Sequence, residues 1–219
     1  MKNSIVFLAA FLMTISTFAQ SERYAAMMQK TITEMESTRD GEALKGIANK
    51  FERIASAEGK EWLPYYYHAY CNIQMALAAM EKNEGDKLSA FVEKAQISLD
   101  KAKGLTTNNS ELETMQGYIY MATIWESPMV KGAIYAPKAT ASYKKAMKLD
   151  PTNPRPYMLE GQNLLFTPDF FGGGAKKAAP VFATAQEKFD TFEPATPVSP
   201  KWGAKTNQYF AKRAEKAMN

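Results

Sequence analysis

Ala139, Tyr143, Ala146 and Leu149 stand at i, i+4, i+7 and i+10 of one stretch, and Pro151 closes it at i+12. That spacing sets small and large apolar residues on one helix face, and the proline cannot continue the helix. Ala139 and Ala146 let a neighbouring backbone come close, while Tyr143 and Leu149 supply the apolar area that drives the contact. One such helix cannot bury its own face. The chain must therefore carry partners for it, and the same spacing locates them.

Upstream, Ala95, Leu99, Ala102, Leu105 and Thr107 repeat the pattern. Downstream, Ala178, Phe182 and Ala185 keep its first three positions, with Lys188 and Asp190 at the last two. Ile47, Phe51, Ile54, Ala57 and Gly59 form a degenerate earlier copy. Six residues after Thr107 and Pro151 come Glu113 and Tyr157, each four residues ahead of a glycine, Gly117 and Gly161. Tyr65 and Ala69 hold the equivalent places after Gly59. A small residue there is what a crossing partner helix needs. No run alternates apolar and polar residues, so no sheet is expected.

Over roughly residues 40 to 190 these helix pairs resemble the tetratricopeptide-repeat (TPR) superfamily. The resemblance implies an all-α array of antiparallel helix pairs, an α-α superhelix of about four pairs, with residues 201–218 as a C-terminal capping helix after a linker at 193–200. The markers Tyr65, Glu113 and Tyr157 lie 48 and 44 residues apart, against a usual period of about 34. The surplus is expected between the two helices of each pair. Gly161 to Gly174, with its Gly-rich turn, is similar to exported periplasmic TPR proteins of Gram-negative bacteria, some of which are accessory to solute transport.

Residues 1–19 read as a secretory signal ahead of a single domain at 20–219. Lys2 is the charged n-region, Ile5 to Met13 is an apolar run short for a bilayer span, and Thr17-Phe18-Ala19 offers small residues to a peptidase. The expected compartment is periplasmic or extracellular, with no stable membrane anchor after cleavage. Cys71, the sole cysteine, excludes a lipobox and an internal disulfide. A net charge of +4 from 27 basic and 23 acidic residues, interspersed along the helices, leaves no basic stripe for nucleic acid. In sequence terms the helices run over 21–37, 42–57, 62–80, 87–104 with Gly104 as a cap, 109–126, from Tyr135 or Pro137 to Leu149, 157 onward, 175–191 and 202–218.

Three constellations invite chemistry. Gly172-Gly173-Gly174 before a helix could cradle an anion, but it fails the phosphate-loop spacing and reads as a turn between helices. His68 and Cys71 share a helix face, yet no further His exists to build a metal site and no third group orients the imidazole. The cluster Trp62, Tyr65, Tyr66, Tyr67 and Tyr70 is the better candidate, since tyrosine offers a flat apolar face and a hydroxyl. The TPR resemblance places Tyr66 and Tyr70, Thr114 and Tyr118, and Met158 and Gln162 along the groove, with Arg155 at the same surface.

These features predict a scaffold rather than an enzyme, with neither cofactor nor metal. It binds a protein or peptide through Tyr66, Tyr70, Tyr118, Arg155 and Gln162. The alternative is a small-solute-binding accessory of periplasmic transport.

Overall fold

The computed structural model describes residues 22–218; the signal assignment at 1–19 lies outside them. The described residues form nine α-helices and no strand. Helix α1 covers 22–36. It is followed by α2 (Gly41–Ala57), α3 (Trp62–Glu81), α4 (Gly85–Leu105), α5 (Ser110–Trp125) and α6 (Pro128–Leu149). Helices α7 (Arg155–Phe166), α8 (Ala175–Thr191) and α9 (Ala204–Met218) complete the order. Local chemistry starts several of them. Asp40 accepts from Ala43 N–H ahead of α2, and Asn109 accepts from Glu111 and Leu112 N–H ahead of α5. Prolines occupy the first turns of α6 and α7, where a missing N–H costs nothing.

Each helix from α2 packs on the next, and α3, α5, α7 and α9 also touch in series. Helices α4, α6 and α8 do not touch one another among the described residues. The odd-numbered helices therefore make the inner, concave layer and the even-numbered ones the outer layer. Ala95, Leu99, Ala102, Ala139, Tyr143, Ala146, Ala178, Phe182 and Ala185 are all fully buried between layers. The fourth stripe position behaves differently: Leu149 is half-buried and Leu105 is 39% exposed. At about 100° per residue, i+10 stands some 80° from i, at the margin of the stripe.

The surplus over a plain repeat is not between helices, as expected, but inside them. Only residues 82–84 separate α3 from α4, which are 20 and 21 residues long. Gly104 lies within α4, and Thr106 ends it in extended conformation. Helix α6 begins at Pro128, not near Tyr135 or Pro137, and runs 22 residues against 16 for α5. Pro137 sits inside it at an exposed position, where water can take up the carbonyl that the missing N–H leaves free. The first turns of α6 thus extend one edge of the array.

Candidate functional site

The concave face is occupied by the chain itself. Residues 192–203 leave α8 as a strap containing Pro194, Pro197 and Pro200, turned where Ser199 N–H donates to the Thr196 carbonyl at 3.0 Å, and lie against α3, α5 and α7 before α9 begins. On α3, Tyr67 Oη donates to the Val198 carbonyl at 2.9 Å. Trp202 Nε1 donates to Tyr66 Oη, also at 2.9 Å. The Trp202 ring stacks on Tyr70 with centroids 4.7 Å apart and lies 6.1 Å from Tyr118 on α5. Gly203, at φ 119°, turns the strap into α9; a Cβ there would meet Phe189 Cζ at 2.7 Å.

Beneath the strap is a buried charge pair. Glu111, in the first turn of α5, accepts from Arg155 Nε at 2.9 Å, from Tyr66 Oη at 2.9 Å and from Asn153 Nδ2 at 2.7 Å. Arg155 is 1% exposed and lies 4.5 Å below the Phe192 ring and 6.0 Å from Trp202. Its Nη1 has no hydrogen-bond partner, so these π-faces are what that side of the cation meets. Burial works against the charge of Arg155, but Glu111 outweighs it and the guanidinium is held more firmly protonated than usual. Burial also pushes the hydroxyls of Tyr66, Tyr70 and Tyr118 up, which keeps them as neutral donors. Tyr66, Tyr70, Tyr118 and Arg155 thus gather around Trp202. Gln162 is buried on α7, two turns beyond Arg155.

His68 and Cys71 do not form a reactive pair. His68 Nδ1 meets Ser98 Oγ of α4 at 2.6 Å, and burial lowers its basicity. Cys71 is buried and its thiol pushed up by burial, the opposite of a nucleophile's setting. No group of three metal-ligating side chains occurs among the described residues.

A second surface was not evident from spacing. Met129, Val130 and Ile134 are exposed on the first turns of α6, and Phe166, Phe170 and Phe171 are exposed at the turn joining α7 to α8. Asn163 Nδ2, near the end of α7, donates to the Ala136 carbonyl and to Thr140 Oγ1 at 3.2 and 2.9 Å, which puts both groups at the same end of the array. Met129 is 95% exposed and Phe170 91%. The Gly-rich segment closes the turn: Gly172 and Gly174 have φ of 88° and 96°, and Gly174 N–H bonds the Leu164 carbonyl at 2.9 Å. That conformation thrusts the two phenylalanines outward, each ring edge-on to the other. Beside them a cavity of about 350 Å³ is lined by Phe166, Asp169, Lys176 and Met218 among others. Arg213 lies 5.1 Å above the Phe166 ring, and Lys138 and Lys177 are exposed nearby in sequence.

The architecture defines a TPR-like helical array, and two solved structures share it. No family model and no curated protein matches the chain. A TPR protein of Thermus thermophilus is similar at a TM-score of 0.53 and 17% identity, over 93% of this chain and 94% of that one. More similar is the HusA haemophore from Porphyromonas gingivalis, with a TM-score of 0.78 and 28% identity over 90% of this chain and 94% of the haemophore. No helix among the described residues is long and apolar enough to cross a membrane.

Proposed function

We propose that this protein is a carrier of haem or a closely related tetrapyrrole, held at the apolar edge formed by α6 and the α7–α8 turn. What carries the reading is exposed apolar surface: Phe166, Phe170 and Phe171 at the α7–α8 turn, and Met129, Val130 and Ile134 on the first turns of α6, with Arg213 over the Phe166 ring and Lys176 lining the adjacent cavity. An apolar patch of this kind calls for an occupant. A tetrapyrrole is a planar apolar ring with carboxylates at one margin. Phenylalanine rings cover the first, and Lys138, Lys176 or Arg213 pairs with the second. Similarity to a haemophore along nearly its whole length supports the same class of cargo.

Iron ligation by histidine plays no part in this reading, because His68 is bonded to Ser98 between α3 and α4. The ring and its carboxylates supply the affinity. The signal-like residues 1–19 would deliver the carrier to the outside of the cytoplasmic membrane, where a cargo released from other proteins is met.

The test is titration of the purified full-length mature chain with haem, followed by the Soret band and tryptophan quenching. Saturable binding is expected. Metal-free protoporphyrin is expected to bind within about threefold of haem, a difference below about 1 kcal/mol. Absence of saturable binding to either compound contradicts the reading.

A further inference from the structure

We propose that the end of the array bearing the start of α6 and the last turns of α9 docks reversibly on an anionic lipid surface. The starts of α3, α5 and α7 converge where Tyr66 and Arg155 meet Glu111. The ends of these helices and the starts of α4, α6 and α8 therefore gather at the opposite end of the array. There Met129, Val130, Ala133, Ile134 and Pro137 are all exposed. They stand at i, i+1, i+4, i+5 and i+8, which at about 100° per residue is one apolar face of α6. Met129 at 95% exposure and Phe170 at 91% project from the surface rather than pack on it. A fluid headgroup layer encloses projecting apolar side chains, as it does the apolar face of an interfacial helix.

Charge selects the occupant. Helix α6 contains no acidic residue, and Lys138, Lys176, Lys177, Lys212, Arg213 and Lys216 are exposed. Helix α9 reaches this end because Arg213 lies over the Phe166 ring and Met218 lines the cavity with Phe166 and Asp169. Of the acids there, Glu126 is bridged to Lys131, Asp169 lies against the Cα of Gly174, and Glu215 is exposed. Farther along the same end the α3–α4 turn carries Glu81, Glu84 and Asp86, so the cationic character belongs to the last helix pairs. A second copy meeting this end would set cation against cation, whereas an anionic bilayer attracts each one. Apolar insertion and electrostatic attraction add at such a surface. Docking goes beyond the cargo reading and does not depend on it, since no bound tetrapyrrole is required.

The test is co-sedimentation of the cargo-free, full-length mature chain with vesicles of phosphatidylcholine alone and of phosphatidylcholine mixed with phosphatidylglycerol. Binding to the mixed vesicles is expected to be at least about tenfold tighter than to phosphatidylcholine, and to weaken as salt is raised. Met129→Ser/Val130→Ser/Ile134→Ser should bind the mixed vesicles at least about tenfold more weakly, because the inserted apolar surface is gone. Lys212→Gln/Lys216→Gln should also lose about tenfold and show a shallower salt dependence. Every changed side chain is exposed, and circular dichroism checks that both variants fold. Haem titration of the lysine variant is expected to match wild type, so docking and cargo binding fail separately. No binding to the mixed vesicles, equal binding to both kinds, or unchanged binding by the serine variant overturns the proposal. Dimerisation abolished by the same serine substitutions would give the face to a second copy and overturns it as well.

Discussion

The ring of Tyr143 on α6 lies against the bare Cα of Gly117 on α5, so close that a Cβ at position 117 would stand 2.3 Å from Tyr143 Cε1. The relationship recurs one repeat later, where a Cβ on Gly161 would stand 2.6 Å from Phe182 Cε1. A large ring from the outer helix fills the space left by an absent side chain on the inner one. This pairing sets how closely the layers approach.

Gly117→Ala and Gly161→Ala are each expected to destabilise by about 1–3 kcal/mol, the usual range for overpacking a tight contact. Both rings are fully buried and cannot swing away. Gly46→Ala is the control, since Gly46 lies inside α2 with nothing within 4 Å of the added methyl. It should gain roughly 0.5–1 kcal/mol of helix propensity. Urea unfolding of the three variants checks the contrast in sign.

Those contacts were legible in the sequence because Gly117 and Gly161 stand four residues beyond the markers Glu113 and Tyr157, and Tyr143 and Phe182 hold the same place in their outer-helix stripes. Tyr66, Tyr118, Arg155 and Gln162 stand out in the sequence as a groove surface, but their burial does not. Phe192 and Trp202 flank a proline-rich stretch that reads as a linker, and only the folded chain shows the indole returning to Tyr66 and Tyr70. The apolar edge was hidden for another reason. Gly172 to Gly174 drew attention as a turn, whereas the consequence lies in the neighbouring Phe170 and Phe171 that the turn exposes. The early start of α6 was masked by Pro137, which reads as a helix boundary and is accommodated on the solvent side.

Arg155 and Glu111 form a pair whose side chains are 1% and 13% exposed. Glu111→Ala would leave a buried guanidinium without its counter-charge, with an expected cost of about 3–5 kcal/mol. Arg155→Met should cost less, because Tyr66 and Asn153 still donate to the more exposed carboxylate. The Arg155→Met/Glu111→Ala double variant is expected to be more stable than the sum of the single losses, as measured by denaturant midpoints in a double-mutant cycle.

His68 gives the fold a defined pH dependence. Burial lowers its folded-state affinity for a proton below the ordinary 6.5, so the unfolded chain binds more protons as pH falls through that value. Stability is fully present above the unfolded value and declines below it. The urea midpoint should drop between pH 7.5 and 5.5 in wild type and drop less in His68→Gln, which keeps a polar partner for Ser98.

Export is checked by mass. Protein recovered from the cell envelope is expected to lack about 19 residues and to begin near Gln20 or Ser21, as signal cleavage after small residues requires. Retention of Met1 on the native, membrane-associated protein would contradict the secretory reading.

The central claim, that cargo is carried at the edge presented by the α7–α8 turn, is tested most directly by the haem affinity of Phe170→Ser/Phe171→Ser beside wild type. Both side chains are exposed, at 91% and 71%, so the melting temperature should stay within a degree or two of wild type, consistent with the small effect of surface substitutions, within about 0.5 kcal/mol. The account predicts a loss of at least about tenfold in affinity, about 1.4 kcal/mol, with the fold intact. Unchanged haem affinity in this variant would contradict it.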